Sequence, residues 1–352
     1  MSATLTQPAQ HTSAGEGQPL LLSTEDRSTP GALVISLDFE LYWGVRDRFP
    51  LDAAERRRLE KARDMVPRIL SLFSEFSIHA TWATVGALFA SSREEADSFT
   101  PTVQPTYADA RLNPYTERIG ASEQDDPFHF APSLIRQIAE TPGQEIASHS
   151  YSHYYCLEPG QTAEAFEADM QSALAIAHHS GYNIRSYVFP RNQVNASYLP
   201  LLQKYGIDAY RGAGNVEANK ADSFAVQRRP YKRALRLLDA YIDVCGRQVA
   251  PWTPADPLAC MLPSRYLRPT SSYLRPFDRL KLTRIQNQLK AAAELGQIFH
   301  LWWHPEDFAA GGEPNISFLR EILRAFCELR VMHAMKSLTM AEAVHPQYST
   351  CQ

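Results

Sequence analysis

The sequence has few cysteines, no large excess of charge of one sign and no long hydrophobic run. Its five cysteines among 352 residues are widely spaced and form no CxxC pair, which argues against a disulfide framework or a zinc ribbon. The formal net charge is -4 and the pI is about 6.3, so no basic field points to a nucleic-acid partner. No apolar segment approaches the ~18 residues of a membrane-spanning helix. These absences favour a cytoplasmic protein with reduced thiols.

The N-terminal segment, Met1 to Gly31, is rich in serine, threonine, glutamine, glycine and proline. It lacks the basic start and the apolar core of about 7–15 residues that mark a signal peptide. We therefore expect residues 1–30 to form a disordered tail. With 44% hydrophobic residues, the chain is long enough to bury a large core.

Short apolar runs rich in β-branched residues alternate with helical periodicities along the rest of the chain. The first run is Leu33–Leu37, and a helical pattern separates it from the next, Ile78–Val85. This β-α-β order predicts parallel strands joined by right-handed crossovers, and its repetition favours an α/β barrel. We predict one catalytic domain over residues 31–345, with insertions near residues 91–126 and 212–283.

Polar residues follow the predicted strands, at the barrel edge where catalytic groups normally stand. His149 and His153 are four residues apart, which would place both imidazoles on one face of a helical turn, within reach of one metal ion. Asp38 and Glu40 point the same way if the backbone is extended, so one can bind metal while the other acts as a base. Two histidines and one carboxylate leave coordination positions open, as at catalytic metal sites.

The last predicted strand, Gln297–Trp303, ends at His304. An imidazole at a strand end suits a general acid near neutral pH. His300 lies inside the same strand, and we expect it to be a hydrogen-bonded core histidine rather than a ligand.

These motifs, in this order, resemble those of the polysaccharide deacetylase family, the NodB-homology carbohydrate esterases of family 4, and their amidase relatives. Residues His149 to His153 read His-Ser-Tyr-Ser-His and match the family's His-(Ser/Thr)-x-x-His motif in full. Ser36–Glu40 stands where the family has a Thr-Phe-Asp-Asp-Gly type motif, and Leu301–His304 matches its late Leu-x-x-His motif. The resemblance implies a distorted parallel (β/α) barrel of about seven strands.

The resemblance also implies roles for the site residues. Glu40, His149 and His153 would hold one divalent ion, most simply Zn²⁺. Asp38 would be the catalytic base and His304 the acid. The division between Asp38 and Glu40 stays open, because the best-known members have adjacent aspartates where this chain has Asp-Phe-Glu.

Two further sets of residues are candidates for the site. Phe189–Gln193 occupies the place of the family's Arg-x-Pro-x-Gly motif, and Arg191 is expected to orient Asp38. Tyr42, Trp43, Trp302 and Trp303 are aromatic side chains that would pack against a sugar ring, with packing in the core as the alternative for each.

The expected function is a metal-dependent removal of an N-acetyl group from a carbohydrate, an amino sugar in polysaccharide or glycoconjugate biosynthesis. The substrate would be a small molecule or an oligosaccharide, with no nucleic-acid partner. Two alternatives remain: a cyclic-amide hydrolase of the allantoinase-like branch, and a catalytically silent carbohydrate-binding protein on the same fold. The acylated compound, the native metal and the oligomeric state are left open by the sequence.

Overall fold

A computed structural model describes residues 29–214, 216, 220–252 and 258–344. Its strands are β1 (Ala32–Phe39), β2 (Ala80–Thr84), β3 (Gln144–Ser148), β4 (Ser186–Val188), β5 (Ala209–Arg211), β6 (Ala259–Met261), β7 (Arg265–Tyr266), β8 (Ile298–Trp303) and β9 (Lys336–Leu338). Its helices are α1 (Ala53–Phe76), α2 (Arg93–Ser98), α3 (Pro132–Glu140), α4 (Ala163–His179), α5 (Leu199–Lys204), α6 (Phe224–Gln227), α7 (Pro230–Tyr241), α8 (Asp278–Leu295), α9 (Pro305–Gly311), α10 (Glu313–His333) and α11 (Met340–Val344).

In the described part of the chain, nine strands form a single sheet in which every pairing is parallel. The order is β6-β5-β4-β3-β2-β1-β8-β7, and β9 pairs with the beginning of β1. Neighbours in space are mostly neighbours in sequence, as repeated right-handed crossovers produce. The predicted distorted parallel barrel is confirmed. Within the described ranges it has nine strands rather than about seven, and the six strands other than β1, β2 and β8 have five or fewer residues each.

Strand β1 lies inside the sheet, between β2 and β8, and is buried along its whole length. Side chains alternate between the two faces of a strand. Leu33, Ile35, Leu37 and Phe39 pack into the main core with the helices, whereas Ala32 and Val34 belong to a smaller cluster of mostly small residues. Asp38 therefore shares the face of Val34, at the carboxyl end of the strand.

The two predicted insertions differ in what they contribute. Residues 91–126 contain α2 and short turns, and the guanidinium of Arg46 ties this segment to the loop after β1 by donating to the carbonyl oxygens of Arg111, Leu112 and Asn113. The described part of residues 212–283 contains α6, α7, β6 and β7. Of the predicted tail, only residues 29 and 30 are described, so the tail stays a prediction.

None of the helices within the described ranges is long and apolar enough to span a membrane.

Candidate active site

Asp38 lies at the end of β1, almost fully buried, and forms a two-pronged ion pair with Arg211. Arg211 Nη1 lies 2.6 Å from Asp38 Oδ1, and Nη2 lies 2.7 Å from Oδ2. Burial raises the pKa of Asp38, but attraction to Arg211 and His149 outweighs it, so the net shift is downward. Asp38 is therefore a carboxylate that stays ionised inside the protein.

The structure corrects the role expected for Arg191. Its Nη2 lies 2.6 Å from Asp47 Oδ1, not beside Asp38. The backbone is left-handed at Arg191 and Asn192, with φ of 54° and 52°, and the Asn192 amide oxygen accepts a 2.9 Å bond from Arg211 Nη2. The residue that orients Asp38 is thus Arg211, which comes from the next strand, β5.

The two motif histidines are brought together by a loop rather than by the helical turn that their spacing suggested. Ser150 and His153 have φ of 62° and 60°, a region that residues other than glycine rarely adopt. Asp169 in α4 holds the loop in place, because its carboxylate accepts from the backbone N–H groups of Tyr151 (2.7 Å) and Ser152 (3.1 Å). This buried carboxylate offsets the backbone strain.

Glu40, His149 and His153 form the group of potential metal ligands that their positions predicted. One donor atom from each residue lies within 4.8 Å of the others, and all three side chains are buried. Glu40 Oε2 lies 3.4 Å from His149 Nε2 and 3.0 Å from His153 Nε2. His149 Nδ1 donates to the Val188 carbonyl oxygen at 2.8 Å, which leaves the Nε2 lone pair facing the carboxylate.

The chemistry of this group fits a divalent ion. His149 Nε2 is buried without a hydrogen-bond partner in the described structure, an arrangement that a metal ligand explains. Burial lowers the pKa of His153 to about 4, against the attraction of Glu40. For Glu40, burial raises the pKa, but His304 and His153 hold it well below its usual range. Neutral imidazole and ionised carboxylate are the forms that bind metal.

The backbone after β1 is shaped to carry Glu40. Leu41 has a φ of 45°, and its N–H donates to Glu306 Oε1 at 2.6 Å. The Glu40 side chain runs directly over Gly44, where a Cβ would lie 1.9 Å from the Glu40 carboxyl carbon. Only glycine leaves room for the carboxylate at this position.

His304 follows β8 and lies beside both Asp38 and Glu40. Its Nε2 lies 3.6 Å from Asp38 Oδ2 and 3.8 Å from Glu40 Oε1. Its Nδ1 donates to Asp307 Oδ2 at 2.8 Å, and Asp307 also accepts from the Tyr266 hydroxyl. Burial lowers the pKa of His304, but Glu40 and Asp307 raise it to about 10, so this histidine carries a proton.

These groups border a cavity of about 460 Å³. Asp38, Glu40, His153 and His304 line it, as do side chains of α6, α7 and β7 from the predicted second insertion.

Of the four candidate sugar-binding aromatics, Trp302 lines this cavity, whereas Tyr42, Trp43 and Trp303 do not. Trp303 is fully buried and stacks on Phe308, because it points to the helix-covered face of β8. Tyr42 and Trp43 are buried against His129, and their polar atoms donate to backbone carbonyl oxygens. His300 is the expected core histidine, with Nε2 at 2.8 Å from Ser36 Oγ.

Sequence reasoning missed three residues that position the site: Arg211, Asp169 and Asp307. Arg211 is a polar residue at the end of a short strand, so the strand-end pattern that indicated Asp38 and His304 applies to it equally. Asp169 is an acidic residue among apolar residues of α4, where it lies beside Met170 on the buried face. Asp307 is three residues after His304 in the first turn of α9, a spacing at which side chains meet.

Fold and geometry together define a class: a distorted parallel α/β barrel with two histidines and a carboxylate at the carboxyl ends of its strands. Residues 52–210 match the family model for polysaccharide deacetylase. The resemblance seen in the motifs is thus confirmed, and this part of the chain is related to the polysaccharide deacetylase family. The matched range includes His149 and His153 but ends before Arg211 and His304.

Solved structures share the fold. A putative polysaccharide deacetylase from Mycobacterium smegmatis has a TM-score of 0.52 at 15% identity, over 92% of this chain and 96% of that chain. A probable polysaccharide deacetylase from Pseudomonas aeruginosa PAO1 has a TM-score of 0.52 at 12% identity, over 91% of each chain. A Puue allantoinase has a TM-score of 0.53 at 12% identity, over 95% of this chain and 99% of that chain. No curated protein matches the sequence significantly.

Proposed function

We propose that this protein is a metal-dependent hydrolase that removes an N-acetyl group from a carbohydrate, with an amino sugar as the substrate. The observation that carries the proposal is the convergence of three groups on one cavity. These are a ligand set (Glu40, His149 and His153), an ionised carboxylate (Asp38) and a protonated histidine (His304). The match of residues 52–210 to the polysaccharide deacetylase family supports the same chemistry.

Glu40, His149 and His153 are the residues that would hold the ion, with Zn²⁺ as the simplest candidate for two nitrogen ligands and one oxygen ligand. When bound, a divalent ion polarises an acyl carbonyl and lowers the pKa of water. This assignment makes Glu40 the ligand and leaves Asp38 free to act as the base. It is favoured because both oxygens of Asp38 are already engaged by Arg211.

Asp38 is suited to accept the proton of an attacking water. Its pKa lies below the ordinary value, so it is ionised at neutral pH, and Arg211 fixes the orientation of both carboxylate oxygens. A positioned base of this kind contributes rate only if it stays both charged and aligned.

His304 is suited to protonate the leaving nitrogen, which departs poorly as an anion. The bond from Nδ1 to Asp307 fixes the ring, so Nε2 points toward Asp38. Base and acid therefore lie 3.6 Å apart, and both line the same cavity.

The test is hydrolysis by protein reconstituted with Zn²⁺, with N-acetylglucosamine oligomers and allantoin as substrates and acetate release or ring opening as the readouts. We expect acetate release from an acetylated sugar, and its loss in Asp38→Asn. Ring opening of allantoin without acetate release would replace the proposal by the cyclic-amide alternative. Binding of the sugars without any turnover would support the silent carbohydrate-binding protein. The cytoplasmic location expected from the sequence stays a prediction.

A further inference from the structure

Three guanidinium groups surround one aromatic ring at the cavity. The Cζ atoms of Arg48, Arg191 and Arg228 lie 5.8, 4.1 and 5.2 Å from the centre of the Phe224 ring. We call these three residues the arginine cluster. Arg48 and Arg191 line the cavity together with Phe224. Like charges repel, so a cluster of this kind is stabilised by a counter-charge.

The described residues supply little of that counter-charge. Asp47 pairs with Arg191, but Arg48 and Arg228 have no ion pair or side-chain hydrogen bond within the described residues. The Arg191 side chain is only 9% exposed, and its Nη1 is buried without a hydrogen-bond partner in the described structure. Partial loss of hydration and then repulsion from Arg191 lower the pKa of Arg48, although its side chain is exposed. Among the described residues, the cluster thus holds three cations against one carboxylate.

The arginine cluster lies close to the candidate metal ligands. Arg191 Cζ lies 4.5 Å from the centre of the Tyr155 ring, and that ring contacts the His153 ring edge-on at 5.2 Å. One aromatic side chain therefore separates the cluster from a ligand. An anionic group held by the cluster and an acyl group at the ligands would belong to the same sugar.

Three of the carboxylates that line the cavity are already paired and would repel such an anion little. Asp38 is held by Arg211, Asp307 by His304, and Asp239 by Arg265 and Arg284. Glu306 is buried, and its Oε1 accepts the Leu41 N–H at 2.6 Å.

We propose that the arginine cluster is a subsite for an anionic group, a phosphate or a carboxylate, on the sugar from which the acyl group is removed. Guanidinium groups suit both anions because they donate paired hydrogen bonds. This inference rests on the proposed function, since it assigns the anion and the acyl group to one molecule.

The test is calorimetric binding of three probes that share the acetamido group: N-acetylglucosamine, N-acetylglucosamine 1-phosphate and N-acetylmuramic acid. We expect a charged probe to bind about tenfold or more tightly than the neutral one, as for one charge-assisted hydrogen bond. Arg48→Gln and Arg228→Gln should each remove most of that preference. Comparison of the phosphate and carboxylate probes identifies the anion.

Arg56→Gln is the matched control. Arg56 Cζ lies 5.2 Å from the centre of the Phe128 ring, so the control also loses a cation over an aromatic ring. This variant should keep the preference for charged probes. Because Arg48 and Arg228 are exposed, their replacement should leave the fold intact, which thermal unfolding checks.

Equal binding of the three probes, or failure of both charged probes to bind, would overturn the subsite. A preference that survives both Arg48→Gln and Arg228→Gln would also overturn it, since the anion would then be held elsewhere. Acetate release is measured in parallel. Release without a charge preference contradicts the subsite alone, whereas a charge preference without release from any N-acetyl compound contradicts the proposed function alone.

Discussion

Replacement of Arg211 by methionine should damage both stability and activity, because it leaves Asp38 charged in a buried place. The two side chains are 0% and 3% exposed, so little water would replace the lost partner. Removing one member of a buried ion pair costs about 3–5 kcal/mol of unfolding free energy. Loss of an aligned base should also lower kcat by about 10²-fold or more.

The cost should depend on pH with a defined sign. In the wild type the pKa of Asp38 is lowered, so the pair stabilises the fold above the ordinary carboxyl pKa and this contribution is lost as the pH falls through the lowered value. In Arg211→Met, burial is no longer opposed by Arg211, and Asp38 takes up a proton at higher pH. The stability difference between the two proteins should therefore be largest at neutral pH and shrink below roughly pH 5.

Urea unfolding of the wild type, Arg211→Met and the double variant Asp38→Asn/Arg211→Met provides the assay. Removal of both charges should recover much of the lost stability, because no unpaired buried charge remains. If the single and double variants unfold at the same urea concentration at neutral pH, the reasoning about an ionised Asp38 is refuted.

Three further substitutions test the support of the site. Asp169→Ala should lower the unfolding free energy by about 2–4 kcal/mol in urea titrations, because two buried N–H groups of the histidine loop lose their acceptor. Asp169→Asn keeps one acceptor oxygen and should recover part of this stability; if it is as unstable as Asp169→Ala, Asp169 has a different role. Gly44→Ala should weaken metal binding about tenfold or more in competition titrations, since its Cβ would displace Glu40; unchanged affinity contradicts this. Asp307→Asn should lower the pKa of His304, which Glu40 and Asp307 raise against burial, and so move the alkaline limb of the pH–activity profile to lower pH; an unmoved limb contradicts the pairing.

Much of the site was predictable because the fold places strand ends together. Asp38, Glu40, His149, His153 and His304 follow apolar runs at different points of the chain, and a parallel sheet brings such positions to one edge. Their metal-ligand and acid–base roles remain predictions that the geometry supports.

The remaining features depend on backbone conformation that the sequence does not signal. Arg191 and Asn192 are left-handed without being glycine, and the chain there directs Arg191 to Asp47 rather than to Asp38. Ser150 and His153 are left-handed as well, so their spacing suggested a helical turn that does not exist. In both cases tertiary hydrogen bonds outweigh local propensity.

The role of each tryptophan in β8 depends on the face of the strand on which its side chain lies. Trp302 and Trp303 are adjacent, and the alternation of a strand sends one to the cavity and the other to the core. The register of β8 against β1 settles which is which, with Ser36 beside Trp302 and Leu37 beside Trp303. The sequence alone did not contain this register.

Metal content of the wild type, Glu40→Gln and Asp38→Asn, measured side by side by plasma mass spectrometry after loading with Zn²⁺, decides whether a metal binds and which carboxylate holds it. We expect about one ion per chain in the wild type and in Asp38→Asn, and loss of the ion in Glu40→Gln. An ion retained in Glu40→Gln but lost in Asp38→Asn would reverse the two roles. No bound ion in the wild type would contradict the metal-dependent mechanism.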